Sequence, residues 1–112
     1  MADFMYLFRG GMRGLSPQEM QDSMGRWRDW IATLAQAGKF KGGDPLEDAG
    51  KTVRGKNKTV TDGPYAEAKD LVGGYLLVEC RDLGEATELA KGCPIFQNDG
   101  TVEVRAIHKM DM

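Results

Sequence analysis

The sequence predicts an α+β fold: a ferredoxin-like sandwich with helices and main strands in the order βαββαβ and a small polar hairpin inserted between the second and third main strands. Three observations carry this expectation. Two capping boxes mark two helix starts, Ser16-Pro17-Gln18-Glu19 and Asp82 with Glu85. Two strongly apolar runs, Phe4 to Phe8 and Tyr75 to Cys80, read as strands. Strand signals flank each helix signal on both sides, so the elements interleave.

The first strand is Phe4 to Phe8. Phe4, Tyr6 and Phe8 point one way, Met5 and Leu7 the other, so it is apolar on both faces. Gly10, Gly11 and Gly14 then break the chain. The first helix runs from Pro17 to Ala37. Ser16 caps it, Pro17 sits at the first helical position and Glu19 reaches back to the cap. Met20, Met24, Trp27, Ile31 and Leu34 recur at helical spacing and form the expected inward stripe, with Trp30 at its edge. Gly38 provides the left-handed stop.

Phe40 to Leu46 is a weaker, glycine-rich strand. Lys51 to Arg54 and Lys58 to Thr61 flank Gly55-Lys56-Asn57 as a polar hairpin whose few apolar residues, Val53 and Val60, place it on the surface. Tyr75 to Cys80 is the third main strand, with Leu76, Val78 and Cys80 on one face and Tyr75, Leu77 and Glu79 on the other. The second helix follows Asp82, carries Leu83, Ala86, Leu89 and Ala90 on its apolar side, and ends at Gly92 and Pro94. Asp99-Gly100 turns into the last strand, Thr101 to Ile107, where Val102, Val104 and Ala106 alternate with Glu103 and Arg105. Two helices cover one sheet face only. Two strands that are apolar on both faces therefore leave a bare apolar face, and a second copy related by a two-fold axis is its expected cover.

Composition narrows the function classes. With 112 residues the chain is expected to form one domain, residues 1–112, burying roughly 65% of its unfolded surface. Hydrophobic residues make up 41%, charged ones 29%, and the net charge is −2, the profile of a soluble globular protein. Direct nucleic-acid binding needs a basic surplus gathered on one face, and none is read here. The opening MADFMYLFRG offers five consecutive apolar residues, short of a signal-peptide core of about 7 and far short of a membrane span of about 20. With no export signal, Cys80 and Cys93 read as reduced, buried thiols, and the expected location is cytoplasmic.

Little material for catalysis remains. The single histidine, His108, sits beyond the last strand, Ser16 is used as a helix cap and Ser23 lies on the long helix, which argues against a Ser-His-Asp arrangement. Two cysteines thirteen apart and one histidine lack metal-ligand spacing, so neither a metal nor a cofactor is expected. Arg9 and Arg13 among the glycines of FRGGMRG read as a flexible connection or, less specifically, as an anion-binding loop. Asp62, before Gly63-Pro64, reads either as turn chemistry, its carboxylate bonding to nearby backbone amides, or as a carboxylate held for use. Glu103 and Arg105 lie on the face opposite Val102 and Val104, where burial without partners is costly, so they line a wet opening or pair there.

Asp62-Gly63-Pro64-Tyr65, followed by Ala66-Glu67-Ala68-Lys69 and Gly73-Gly74-Tyr75, resembles the D-G-P-F motif of the YCII-related family, in which D-G-P-F-A-E-T-K-E precedes G-G-F or G-G-Y. Cys93-Pro94 at the end of the second helix and Val102-Glu103-Val104-Arg105 near the C-terminus resemble the same family, whose closing strand reads V-E-V-R-P. The chain departs from the pattern at Tyr65, Ala68, Asp70 and Ala106. The resemblance implies a dimeric α/β barrel built from two ferredoxin-like units. Some relatives are proposed to be enzymes with a His-Asp pair in a cleft; no histidine here matches that pair, and only Asp62 carries over. Relatives also occur beside sigma factors, which implies an association with transcription.

Two functional expectations follow. In the first, a homodimer binds a small polar or anionic molecule in a cleft near the DGPY turn, with Asp62 as base or polar anchor, Tyr65, Lys69 and Arg105 as ligand contacts and Glu103 as their orienter; whether the protein is an enzyme stays open. A lone aspartate is a weak base at neutral pH unless burial raises it. In the second, the dimer is a non-catalytic regulatory or protein-interaction module and DGPY is a turn.

Overall fold

Alternation of apolar residues on two faces makes a strand suited to the middle of a sheet, and the chain's two such strands occupy that place. The computed structural model describes residues 1–11, 14–63 and 70–110. Its elements are β1 (Ala2–Arg9), α1 (Pro17–Gln36), β2 (Phe40–Pro45), β3 (Lys51–Arg54), β4 (Thr59–Asp62), β5 (Val72–Cys80), α2 (Leu83–Ala90), a 3-10 helix (Pro94–Asn98) and β6 (Thr101–Ala106). The main sheet is antiparallel in the order β2-β5-β1-β6, with β1 and β5 central. This is the ferredoxin-like α+β arrangement, in which each strand–helix–strand unit is split by a strand of the other. β3 and β4 form a separate two-stranded sheet, the expected polar hairpin.

On one face, Phe4, Tyr6 and Phe8 of β1 stand opposite Val78, Leu76 and Gly74 of β5 and opposite Ala106, Val104 and Val102 of β6. Both helices cover this face, because Tyr6 touches both. Its ring stacks on Trp30 of α1 with centroids 6.0 Å apart, and its hydroxyl donates to the Ala86 carbonyl of α2 at 2.6 Å. Burial pushes the Tyr6 phenol up, so it stays a donor at any ordinary pH.

Local signals fix α1 as expected at both ends. The Glu19 amide donates to Ser16 Oγ at 3.1 Å, and the Ser16 amide donates to Glu19 Oε1 at 3.0 Å. The hydrogen bond from the Ser16 backbone, and after it that from the Ser16 side chain, holds the Glu19 carboxyl below its ordinary range. At the other end Gly38 takes φ +75° and the Lys39 amide returns to the Leu34 carbonyl at 2.9 Å.

The inward face of α1 differs from the stripe expected from the sequence. Ser23, Trp30 and Leu34 are buried, Trp27 and Ile31 flank them, and Met24 is 53% exposed. Trp30 moves from the stripe's edge to its centre because its ring meets Tyr6 and its indole N–H donates to the Leu89 carbonyl at 3.3 Å. Two further elements exceed the sequence reading: β5 begins at Val72 and includes both glycines, and the 3-10 helix buries Ile95 to 1% exposure.

The hairpin stands away from the sandwich. The radius of gyration, 15.7 Å, exceeds the about 13 Å of a compact chain of this length. Val53 and Val60, directly opposed in its register, are both exposed. Among the described residues no helix covers the second face of the main sheet. Met5 and Leu7 stand there opposite Leu77 and Tyr75, flanked by Glu103 and Arg105 on one side and Lys41, Asp3 and Glu79 on the other.

Candidate functional site

The residues singled out by the sequence are brought together in part. Asp62 ends β4, its side chain is 91% exposed, and it pairs with Lys51 across the hairpin at 2.5 Å. Tyr65 and Lys69 lie outside the described residues. Glu103 and Arg105 lie together on β6, with Arg105 Nε 3.8 Å from Glu103 Oε2. Their nearest cation is one the sequence left in a loop: Arg9, whose Nη1 donates to Glu103 Oε1 at 2.7 Å and whose Nε donates to the Asp70 carbonyl at 3.2 Å. Antiparallel pairing of Leu7 with Glu103 puts Arg9 beside that carboxylate, a relation visible only once the strand partners are known.

Neither cysteine is poised as a nucleophile. Burial pushes the Cys93 thiol up to about 12 and raises that of Cys80, so both are neutral thiols at physiological pH. His108 is exposed beyond β6. Among the described residues, no group of three or more His, Cys, Asp and Glu side chains is placed to hold a metal ion. No helix of the described residues is long and apolar enough to cross a membrane.

The cavity suited to a ligand is a cleft of about 680 Å³ between α1 and the β2–β5 side of the sheet. Met24, Trp27, Arg28 and Ile31 of α1 form one wall. Phe40 and Gly43 to Leu46 form the other with Gly73 to Leu76, and Phe8 and Ile95 close the inner end. Glycine lets the β2 wall lie close against β5. Gly43 approaches β5 so closely that a Cβ there would fall on the Tyr75 carbonyl oxygen and the Leu76 side chain. Three glycines line this wall, Gly43 on β2 and Gly73 and Gly74 on β5, strands that turn out to be neighbours.

The walls are mainly apolar and aromatic, and the charged residues of the lining are exposed to solvent. Arg28, Asp44 and Asp48 are the charged residues of the lining. Tyr75 donates to Asp44 Oδ2 at 3.0 Å, and that bond is the first cause holding its phenol above the ordinary value. Trp27 Nε1 is buried with no hydrogen-bond partner among the described residues, and the Trp27 and Phe8 rings meet edge to face with centroids 4.9 Å apart. Such a cleft suits a small, flat, largely apolar molecule with polar substituents at its edge. None of Asp62, Glu103 and Arg105 lines it. Leu71 and the Gly73-Gly74-Tyr75 half of the motif do.

The sequence model of the YCII-related domain matches residues 5–111. The chain belongs to the YCII-related domain family. No curated protein matches it. Among solved structures, the YCII-related chain is similar to the 5-chloro-2-hydroxyhydroquinone dehydrochlorinase of Burkholderia phenoliruptrix in complex with 2,5-dihydroxybenzoquinone, with 18% identity, a TM-score of 0.54, and 91% of this chain and 90% of that one covered. At that identity the likeness shows a shared fold.

Proposed function

We propose that this YCII-related protein binds a small ring-shaped organic molecule in the cleft between α1 and the β2–β5 side of the sheet. The observation that carries the reading is the cleft itself. Its volume of about 680 Å³ falls in the range of small-molecule sites, its walls are mainly aromatic and apolar, and its charged residues are exposed to solvent. That a protein of like fold is solved with 2,5-dihydroxybenzoquinone supports a six-membered ring as the first probe to try. In our reading the protein is a cytoplasmic homodimer, its subunits meeting through the helix-free face around Met5, Leu7 and Leu77.

A second reading is favoured by the cluster of Arg9, Glu103 and Arg105. In it the ligand is a polar anion with Arg105, Asp62, Tyr65 and Lys69 as its contacts, and Asp62 is the candidate base if the protein is an enzyme.

Titration calorimetry with 2,5-dihydroxybenzoquinone, benzoate and inorganic phosphate separates these readings, with light scattering on the same samples. The cleft reading expects the ring probes to bind and Met24→Trp, which fills the mouth from an exposed position, to weaken them at least about tenfold. Binding of phosphate that is lost in Arg105→Ala favours the second reading. If no probe binds to a well-folded sample, both give way to a regulatory or protein-interaction module. A particle of twice 12.3 kDa supports the dimer, and one of 12.3 kDa removes it.

A further inference from the structure

We propose that Arg9 is a positioning residue for the cleft: it clips the start of β5, which forms a cleft wall, to the edge strand β6. The inference rests on the cleft reading above for its functional consequence, and on two hydrogen bonds and a strand irregularity for its geometry.

Pairing between β1 and β5 is regular from Ala2 to Phe8 and then shifts. Phe8 stands opposite Gly74, Arg9 opposite Val72, and Gly73 is left without a partner on β1. A bulge of this kind loosens the ladder and re-aims nearby side chains. It falls where β5 has least to hold it, because Gly73 and Gly74 have no side chain to pack and more backbone freedom than any other residue. On the β2 side the ladder pairs Gly74 with Pro45, and the Leu46 amide donates to the Gly73 carbonyl at 2.9 Å.

Arg9 supplies the restraint on the β1 side. Its Nη1 is anchored on Glu103 Oε1 at 2.7 Å, and its Nε reaches the Asp70 carbonyl at 3.2 Å, one residue before Leu71 enters the cleft wall. Arg105, 3.8 Å from the other Glu103 oxygen, supports the anchor. Arg9 itself does not line the cleft. It acts through the backbone of Asp70 to Gly74 and so sets the position of that wall. A planar guanidinium holds two acceptors at once, one on β6 and one in the segment leading into β5, whereas a lysine ammonium on a flexible stem meets one or the other, so Arg9→Lys keeps the charge and loses the clip.

The experiment pairs hydrogen exchange with binding. In Arg9→Lys and Arg9→Gln we expect the amides of residues 71–74 to exchange about tenfold faster than in the wild type, the factor that one charge-assisted hydrogen bond represents, while α2 amides keep their rates. Ethylguanidinium added to Arg9→Ala should restore part of the protection, which a general loss of stability would not allow. Affinity for 2,5-dihydroxybenzoquinone should fall in the same variants with the unfolding midpoint little changed. Unchanged exchange at 71–74 in both variants overturns the clip, whatever the ring probe does. If the wild type fails to bind the probe while the variants exchange faster, the clip stands as a local restraint and the cleft reading falls.

Discussion

Asp62→Asn separates turn chemistry from site chemistry at the motif's first residue. Asparagine keeps the size of the side chain and one carbonyl acceptor, and removes the charge. Among the described residues Asp62 pairs with Lys51 Nζ at 2.5 Å, and the two side chains are 91% and 67% exposed. Ion pairs this open to solvent are screened and contribute about 0–1 kcal/mol, so the substitution should cost no more than about 0.5 kcal/mol in moderate salt and nothing measurable above about 0.5 M. For a chain of this size that corresponds to a melting shift of roughly 2 °C. The assay is thermal unfolding at two salt concentrations, with calorimetric titration of the ring and anion probes on the same samples. Near-native melting with lost binding would make Asp62 part of a site, and near-native melting with unchanged binding would make it a turn residue. A loss of more than about 2 kcal/mol would refute the reasoning, because only a carboxylate desolvated in the working protein, for example against a second copy, contributes that much.

Tyr6→Phe removes the buried hydroxyl that ties β1 to the Ala86 carbonyl at 2.6 Å. It should cost about 1–2 kcal/mol and lower the melting temperature by at least about 4 °C, measured by thermal unfolding; an unchanged midpoint would show that the bond contributes nothing net. Glu19, Asp82 and Glu85 are all held below their ordinary values, chiefly by hydrogen bonds involving the backbone of Ser16, Glu85 and Arg81 respectively. A carboxyl lowered in the folded state stabilises it above its unfolded value and loses that contribution as pH falls through the folded value. Urea midpoints should therefore decline below about pH 4.5, and less steeply in the triple variant Glu19→Gln, Asp82→Asn, Glu85→Gln. Equal slopes would exclude the two helix starts as the cause.

Sequence by itself determined the elements, because each depends on chemistry within a few residues. Ser16 and Glu19 satisfy one another's backbone groups three positions apart, Gly38 accepts the left-handed turn at φ +75°, and alternation in Phe4–Phe8 and Leu76–Cys80 follows from the pleat. The order of those elements also led to the sandwich, and the sheet order then placed the two strands apolar on both faces, β1 and β5, at its centre. Where the reading fell short, a long-range contact had decided. Trp30 rather than Met24 fills the core because Tyr6 and Leu89 wait for it across the sandwich, and helical spacing alone cannot rank neighbours that are one position off the stripe.

The site divides in the same way. Glu103 and Arg105 were legible as a pair because they alternate on one strand. Arg9 was not, because its partners are 94 and 61 positions away and meet it only after β1 pairs with β5 and β6. The cleft was hidden for a similar reason. Two glycine pairs in a sequence signify weak strands, and only the β2–β5 register, which sets Gly43 against Leu76 and Pro45 against Gly74, brings Gly43, Gly73 and Gly74 to one cleft wall. Local bonding selects helix, strand and turn from neighbouring residues, whereas a cavity is a property of surfaces that have already packed.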